Sequence, residues 1–175
     1  WTLWDDFRKY PITGLIAPDI YKDMIQSVAD MLVTGISTWG NDTQPVLTVR
    51  NEHAVALLAD GVAKGYTDIK NLETAYEKAK EIADSAVNAA VESRGYFEGR
   101  VDQTVEYAYD DWCLSLIASV LGKTDESAYY LNRSLNYENL YKEDAVTTDD
   151  GSKIGLLWPK DSSGNWMSAD PERYG

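Results

Sequence analysis

The hexapeptide at 106–111 is the part of the chain whose side chains are best suited to chemistry. It contains three carboxylates, Glu106, Asp110 and Asp111, and two phenols, of which Tyr107 follows the first carboxylate. Burying such groups is costly unless each of them meets a partner or a water-filled cavity. The hexapeptide therefore predicts one of two arrangements, the wall of a polar pocket or the solvated acidic end of an interfacial helix.

Two further groups of residues could take part in binding. Near the N-terminus, Trp4, Asp5 and Arg8 lie close together in sequence, and the Asp and Arg predict an ion pair or, alternatively, a fork that holds sugar hydroxyls. His53, the only histidine, follows Glu52 at the start of a predicted helix. A lone histidine is more often structural than a metal ligand, and no second histidine exists to complete a zinc pair.

Composition narrows the classes of function. The 175 residues carry a formal net charge of −13, which disfavours nucleic acid and anionic membrane surfaces as partners. Six Trp and twelve Tyr outnumber two Phe, and such amphipathic rings suit half-wet surfaces, including walls on which sugars stack. The single cysteine, Cys113, excludes an intramolecular disulfide and is predicted to be a packed core side chain. No apolar run is long enough to predict a membrane span.

Helical periodicity dominates the chain, which we therefore predict to be all-α. Helices are expected at 18–35, 51–65, 71–91, 101–122 and 124–136. The helix at 101–122 is apolar on nearly every side, with one stripe through Val105, Trp112 and Val120, so it needs neighbours on two sides. A double ring of antiparallel helical hairpins supplies such neighbours better than a small bundle does. From residue 142 onward the sequence is turn-rich, with room for one hairpin.

Several segments, taken in order, match one enzyme family. They are LWDDFRKYPI at 3–12, NEHAVALLADGVAKG at 51–65, RGY at 94–96, TVEYAYDDWCLSLIASVLGK at 104–123, the segment at 133–140 and PKDSSGNW at 159–166. Taken together, they resemble the catalytic module of glycoside hydrolase family 92, the calcium-dependent α-mannosidases. The string EYAYDDWC is the most specific of these matches.

The resemblance implies a fold and a reaction. The family fold is an (α/α)6 barrel, and five helices would be slightly under half of its twelve, so residues 1–175 are expected to be an incomplete N-terminal part of one barrel domain. Family enzymes remove terminal mannose with inversion, using an acid, a base and calcium. The family segments that supply the acid, the base and the metal ligands are expected beyond residue 175, so no catalytic or metal-binding residue is predicted here.

The resemblance also implies a set of substrate-side residues. Asp5 falls on the position that binds the hydroxyls of the terminal mannose, and a carboxylate there can accept two sugar O–H bonds at once. The other expected positions are Trp4 and Arg8 beside Asp5, Thr48, Glu52 and His53 in a second loop, and Glu106, Tyr107, Asp110 and Asp111, which shape the cavity. The chain departs from the family pattern at three positions: Asp6 replaces a Thr, Val49 a Met and Asn51 a Gly.

We therefore predict part of a secreted or periplasmic exo-α-mannosidase that acts on mannose-containing glycans and needs the remainder of the polypeptide to close its barrel. Two alternatives stay open. The altered loop that ends at His53 is compatible with a degenerate barrel that binds glycans without cleaving them. The tyrosines are compatible with a helical domain that binds other proteins.

Overall fold

The computed structural model describes residues 3–34 and 50–170, apart from the side chain of Trp4. Most of this part is helical, as predicted. The helices are α1 (Leu3–Ile16), α2 (Pro18–Thr34), the 3-10 helix η1 (Asn51–His53), α3 (Ala54–Ala63), α4 (Leu72–Ala86), α5 (Ala89–Arg94), α6 (Val101–Val120), α7 (Thr124–Arg133) and the 3-10 helix η2 (Ser134–Leu140). They are followed by the strands β1 (Tyr141–Thr147) and β2 (Lys153–Leu157).

One apolar core holds the helices together. Helix α3 is buried along almost its whole length, and it lies against α1, α2 and α6. Helices α2, α4 and α6 also contact one another in part, while α7 packs on α6. Fully buried side chains such as Ile25, Leu57 and Leu114 form the centre of this core. The core therefore fixes α3 and α6 side by side, which places η1 next to the acidic half of α6.

Helix α1 was not predicted, because Pro11 lacks a backbone N–H and usually ends or kinks a helix. The helix nevertheless continues through Pro11 to Ile16. Leu3 is completely buried, and Phe7 and Tyr10 are partly buried against the core, so tertiary contacts outweigh the local penalty. The N-terminal candidates Trp4, Asp5 and Arg8 consequently belong to a helix.

The prediction of a single unbroken helix at 71–91 was wrong, although the segment is largely helical. The chain forms two helices here, α4 and α5, separated at Val87 and Asn88. Asn88 has an extended backbone, and its side chain accepts hydrogen bonds from the backbone N–H groups of Ala90 and Val91, each at 3.0 Å. This N-cap starts α5 within a pattern of apolar residues that continues across the break.

The acidic end of α6 lies inside the protein, and not at its solvated surface. Asp110 and Asp111 are 1% and 2% exposed. The stripe through Val105, Trp112 and Val120, in contrast, is 38–46% exposed. The helix therefore turns Asp110 and Asp111 toward η1 and α7. The alternative prediction of a solvated acidic end was wrong for these two residues.

The turn-rich C-terminal segment forms the single hairpin for which the sequence left room. Strands β1 and β2 pair antiparallel, with Tyr141 opposite Leu157 and Thr147 opposite Lys153. After β2, the indole N–H of Trp158 donates to the backbone carbonyl of Met167 at 2.9 Å. None of the helices within residues 3–34 and 50–170 is both long and apolar enough to span a membrane.

Candidate active site

An ion-pair cluster joins η1 to the first half of α6. The guanidinium of Arg50 donates through Nε to Glu52 and through Nη2 to Glu106. The side chains of Arg50, Glu52 and Glu106 are 21%, 14% and 25% exposed, so they lie at the edge of the core with access to water. Two of the predicted substrate-side residues, Glu52 and Glu106, are thus brought together by an arginine that was not predicted.

A second contact between the same two elements is fully buried. Nδ1 of His53 lies 3.0 Å from both carboxylate oxygens of Asp110, and the two side chains are 2% and 1% exposed. The ring of Phe7 in α1 covers the imidazole at a centroid distance of 4.4 Å. Burial raises the pKa of Asp110 above its ordinary value, although the hydrogen bond to His53 opposes this effect. His53 is therefore a buried partner of a carboxylate, consistent with a structural role.

Tyrosines on α6 flank this cluster. Tyr107 stacks on Phe97 with ring centroids 5.1 Å apart, and Tyr109 stacks on Trp112 at 6.2 Å. Burial, followed by the charge of Glu52, raises the pKa of Tyr107 to about 12. The phenol of Tyr107 is consequently protonated at neutral pH and can donate a hydrogen bond.

Asp111 lies on another side of α6 and does not join the cluster. Its two carboxylate oxygens accept from Nε and Nη2 of Arg133 at 2.8 and 2.7 Å. Nη1 of Arg133 donates to Asp84 in α4 at 2.9 Å. Burial raises the pKa of Asp111 to about 6, while the pair with Arg133 opposes this rise and favours the ionised carboxylate. Asp111 therefore connects helices α4, α6 and α7 through Arg133, and its expected role in shaping the cavity stays a prediction.

The N-terminal candidates approach the cluster through α1. Asp5 and Arg8 are both exposed, and the guanidinium carbon of Arg8 lies 4.7 Å from the centroid of the Phe7 ring. Phe7 also contacts His53, so α1 borders the cluster at this ring. Thr48 and the side chain of Trp4 lie outside the described part of the chain, and their expected roles stay predictions.

Sequence reasoning missed three residues that organise this region: Arg50, Phe7 and Arg133. Arg50 precedes Glu52 by two positions, which is a detectable local signal, but its contact with Glu106 spans 56 residues. Arg133 pairs with a residue 22 positions away. Long-range pairings of this kind leave no periodic signal in a single sequence.

Comparison with known proteins identifies the family. The glycosyl hydrolase family 92 catalytic domain matches residues 1–175. The chain belongs to this family. The family 92 glycosyl hydrolase ccman5 superposes with a TM-score of 0.82 and 36% sequence identity over 97% of this chain and 23% of that one. An inverting family 92 mannosidase of Bacteroides thetaiotaomicron superposes with a TM-score of 0.70 and 28% identity over 98% of this chain and 24% of that one.

Two further relatives of this family 92 chain are informative. A family 92 α-mannosidase of Bacteroides thetaiotaomicron, solved with mannoimidazole, has a TM-score of 0.69 and 28% identity over 95% of this chain and 22% of that one. An uncharacterized secreted glycosidase of Arthroderma benhamiae is 28% identical in an alignment that covers 71% of this chain and 19% of that protein. The chain thus spans less than a quarter of the length of each of these relatives.

The residues described for this family 92 chain do not form a calcium site. Within 3–34 and 50–170, no group of three or more His, Cys, Asp and Glu side chains could hold a metal ion. The carboxylates of Glu52, Glu106 and Asp111 accept from arginines, and Asp110 contacts His53. Since a calcium site needs six to eight converging oxygens, these side chains do not fit the ion.

Proposed function

We propose that the full-length protein is an exo-α-mannosidase that releases terminal mannose from α-linked glycans with inversion. The observation that carries this proposal is the match of all 175 residues to the family 92 catalytic domain. Three of the similar structures are of mannosidases; one of these enzymes is named as inverting, and another structure contains mannoimidazole. The proposal extends their substrate class to this chain.

In this proposal Asp5 binds the hydroxyls of the terminal sugar. Its carboxylate is exposed at the start of α1, and an ionised carboxylate can accept two hydroxyl hydrogen bonds. Glu106 and Tyr107 shape another part of the cavity wall, where the protonated phenol supplies a donor and the carboxylate an acceptor. Each sugar hydroxyl can donate and accept a hydrogen bond, so a wall with both a donor and an acceptor can bind it.

The acid and the base of an inverting reaction protonate the leaving oxygen and activate water on the opposite side of the sugar. Neither role is assigned to a described residue. Calcium dependence likewise stays a prediction, whose ligands would have to come from other residues of the protein.

Turnover by the full-length protein tests the proposal. An aryl α-mannoside should release mannose, and NMR should show the β-anomer first. A chelator should abolish turnover, and added calcium should restore it. Asp5→Ala should cripple turnover and leave the helix content unchanged. Asp19→Ala, which removes another exposed acidic side chain from the first turn of a helix, is the matched control and should turn over normally. Normal turnover by Asp5→Ala would remove Asp5 from the site.

A glycan-binding protein without hydrolase activity is the second candidate. It is favoured by Asn51, which stands where the family pattern has Gly, in the segment that carries the Arg50 cluster. Binding of mannosides without any release of mannose would support it. A helical protein-binding domain would instead give no glycan binding and a tight protein partner.

We also propose that the protein is secreted or periplasmic. This is supported by the curated fungal relative, which is named a secreted glycosidase. Fractionation of the producing cells, with activity assayed in the medium and the periplasm, tests the location.

A further inference from the structure

Arg50 has a backbone conformation that its side chain does not favour. Its φ of 62° and ψ of 46° lie in the left-handed region. Among the described residues, only Asn71, with φ 60°, shares a positive φ without being a glycine. Asparagine tolerates this region well, whereas an arginine there costs about 1 kcal/mol or more. Contacts made by the arginine side chain must therefore offset the penalty.

The contacts of the Arg50 side chain connect two elements. One guanidinium reaches Glu52, two residues along the chain in η1, and Glu106, which lies on α6. One helical turn further along α6, Asp110 contacts the ring nitrogen Nδ1 of His53, which also belongs to η1. Because positions four apart share one face of a helix, these two contacts attach η1 to a single side of α6.

Each ion pair leaves part of its carboxylate available. Arg50 contacts Oε1 of Glu52 and Oε2 of Glu106, so each carboxylate has a second oxygen that this arginine does not use. Both glutamates retain access to water, in contrast with the buried Asp110. Two carboxylates held by one planar cation form a rigid pair of acceptors for hydroxyl groups.

We propose that Arg50 is a positioning residue that holds Glu52 and Glu106 as a fixed pair of hydroxyl acceptors and thereby sets the affinity for the glycan. This inference rests on the proposed function, since it assumes that a sugar binds beside η1. It adds to that function a residue that determines binding and does not take part in the chemical step. Lysine cannot replace it fully, because an ammonium group lacks the fork that spans two carboxylates.

The test compares three variants of the full-length protein. Arg50→Gly removes the guanidinium but accepts the left-handed backbone without strain, so folding should be retained. Arg50→Lys keeps a charge without the fork. Asn71→Gly places a glycine at the other left-handed position, which is exposed and outside the cluster, and controls for the added flexibility. Melting temperatures and helix content are measured for each variant.

The expected result is a change in KM without a matching change in kcat. Arg50→Gly should raise KM for an aryl α-mannoside by about 10- to 100-fold, the loss expected for a hydrogen bond to a charged group, with kcat nearly unchanged. Arg50→Lys should give an intermediate KM, and Asn71→Gly should match the wild type. A purely structural role would instead lower the melting temperature and reduce kcat.

Each remaining outcome decides between the two proposals. If the wild type cleaves mannosides but Arg50→Gly keeps its KM or loses only kcat, the role of Arg50 is overturned and the proposed function stands. If the wild type binds methyl α-mannoside by calorimetry without cleaving it, hydrolysis is overturned, and the dissociation constants of the variants test Arg50 in place of KM. If the wild type neither cleaves nor binds a mannoside, both proposals fail.

Discussion

The buried pair of Arg133 and Asp111 allows a quantitative test of what stabilises the fold. Arg133 is 6% exposed and connects α7 to Asp111 in α6 and to Asp84 in α4. Its guanidinium carbon also lies 4.9 Å from the centroid of the Tyr130 ring. We expect the substitution Arg133→Met, which preserves much of the volume, to destabilise the protein strongly.

The magnitude follows from what the substitution leaves behind. Asp111 is 2% exposed, and Arg133 lowers the pKa that burial raises, so removal of Arg133 leaves a buried carboxyl group that must either stay charged without a cation or take up a proton. Breaking one side of a buried ion pair costs about 3–5 kcal/mol in the free energy of unfolding. The side chain of Asp84 is 46% exposed and can be solvated, so its loss of a partner adds little. The double variant Arg133→Met/Asp111→Leu removes both charges and should recover most of this loss, because apolar replacements of whole buried pairs are often neutral.

Urea unfolding of the full-length protein, followed by tryptophan fluorescence, measures these differences. Arg100→Met is the matched control, because Arg100 forms an equally bidentate pair with Asp102 at 3.0 and 2.7 Å. The side chains of that pair are 53% and 57% exposed, so water screens the pair and its loss should change the free energy of unfolding very little. A loss for Arg133→Met no larger than that of the control would refute the reasoning. So would a double variant less stable than the single one.

Two further predictions concern pH and the start of α5. Because burial raises the pKa of Asp111 to about 6, above the value of about 3.9 in an unfolded chain, the folded protein binds a proton between these pH values that the unfolded chain does not. Lowering the pH from 7 to 5 should therefore stabilise the wild type relative to Asp111→Asn in urea unfolding; an unchanged or opposite difference would contradict this. Asn88→Ala removes the acceptor for two N–H groups at the start of α5 and should cost about 1 kcal/mol. Urea unfolding measures that loss as well, and Asn132→Ala, at an exposed site in the last turn of α7, should leave stability almost unchanged.

Local sequence patterns predicted the helices best where periodicity and side-chain volume agree. Helix α4 has small and apolar residues at regular spacing and charged residues between them, and it forms as expected up to Ala86. The break at Asn88 could not be predicted, because the apolar rhythm continues through Ala90 and Val91. Helix α1 was missed for the opposite reason, since Pro11 indicates a break that burial of Leu3 overrides.

The candidate site was predictable in its residue types and not in its pairings. The concentration of Glu106, Asp110 and Asp111 indicated that these carboxylates need partners, and the resemblance to family 92 placed Glu52 and His53 nearby. Asp110 and Asp111 are adjacent in sequence, yet the first contacts η1 and the second contacts α7. Neighbouring residues on a helix point in directions about 100° apart, so only the packing of the surrounding helices decides which partner each one meets.

The amino-acid sequence alone determined the all-α class, the family and the set of polar residues that must be accommodated near α6, because these depend on composition, periodicity and local motifs. Tertiary structure decided that Arg50 pairs with Glu52 and Glu106, that His53 contacts Asp110 and that Arg133 pairs with Asp111. The physical reason is that a buried charge fixes only the need for a counter-charge. Which counter-charge lies within hydrogen-bonding distance depends on how helices distant in sequence pack in space.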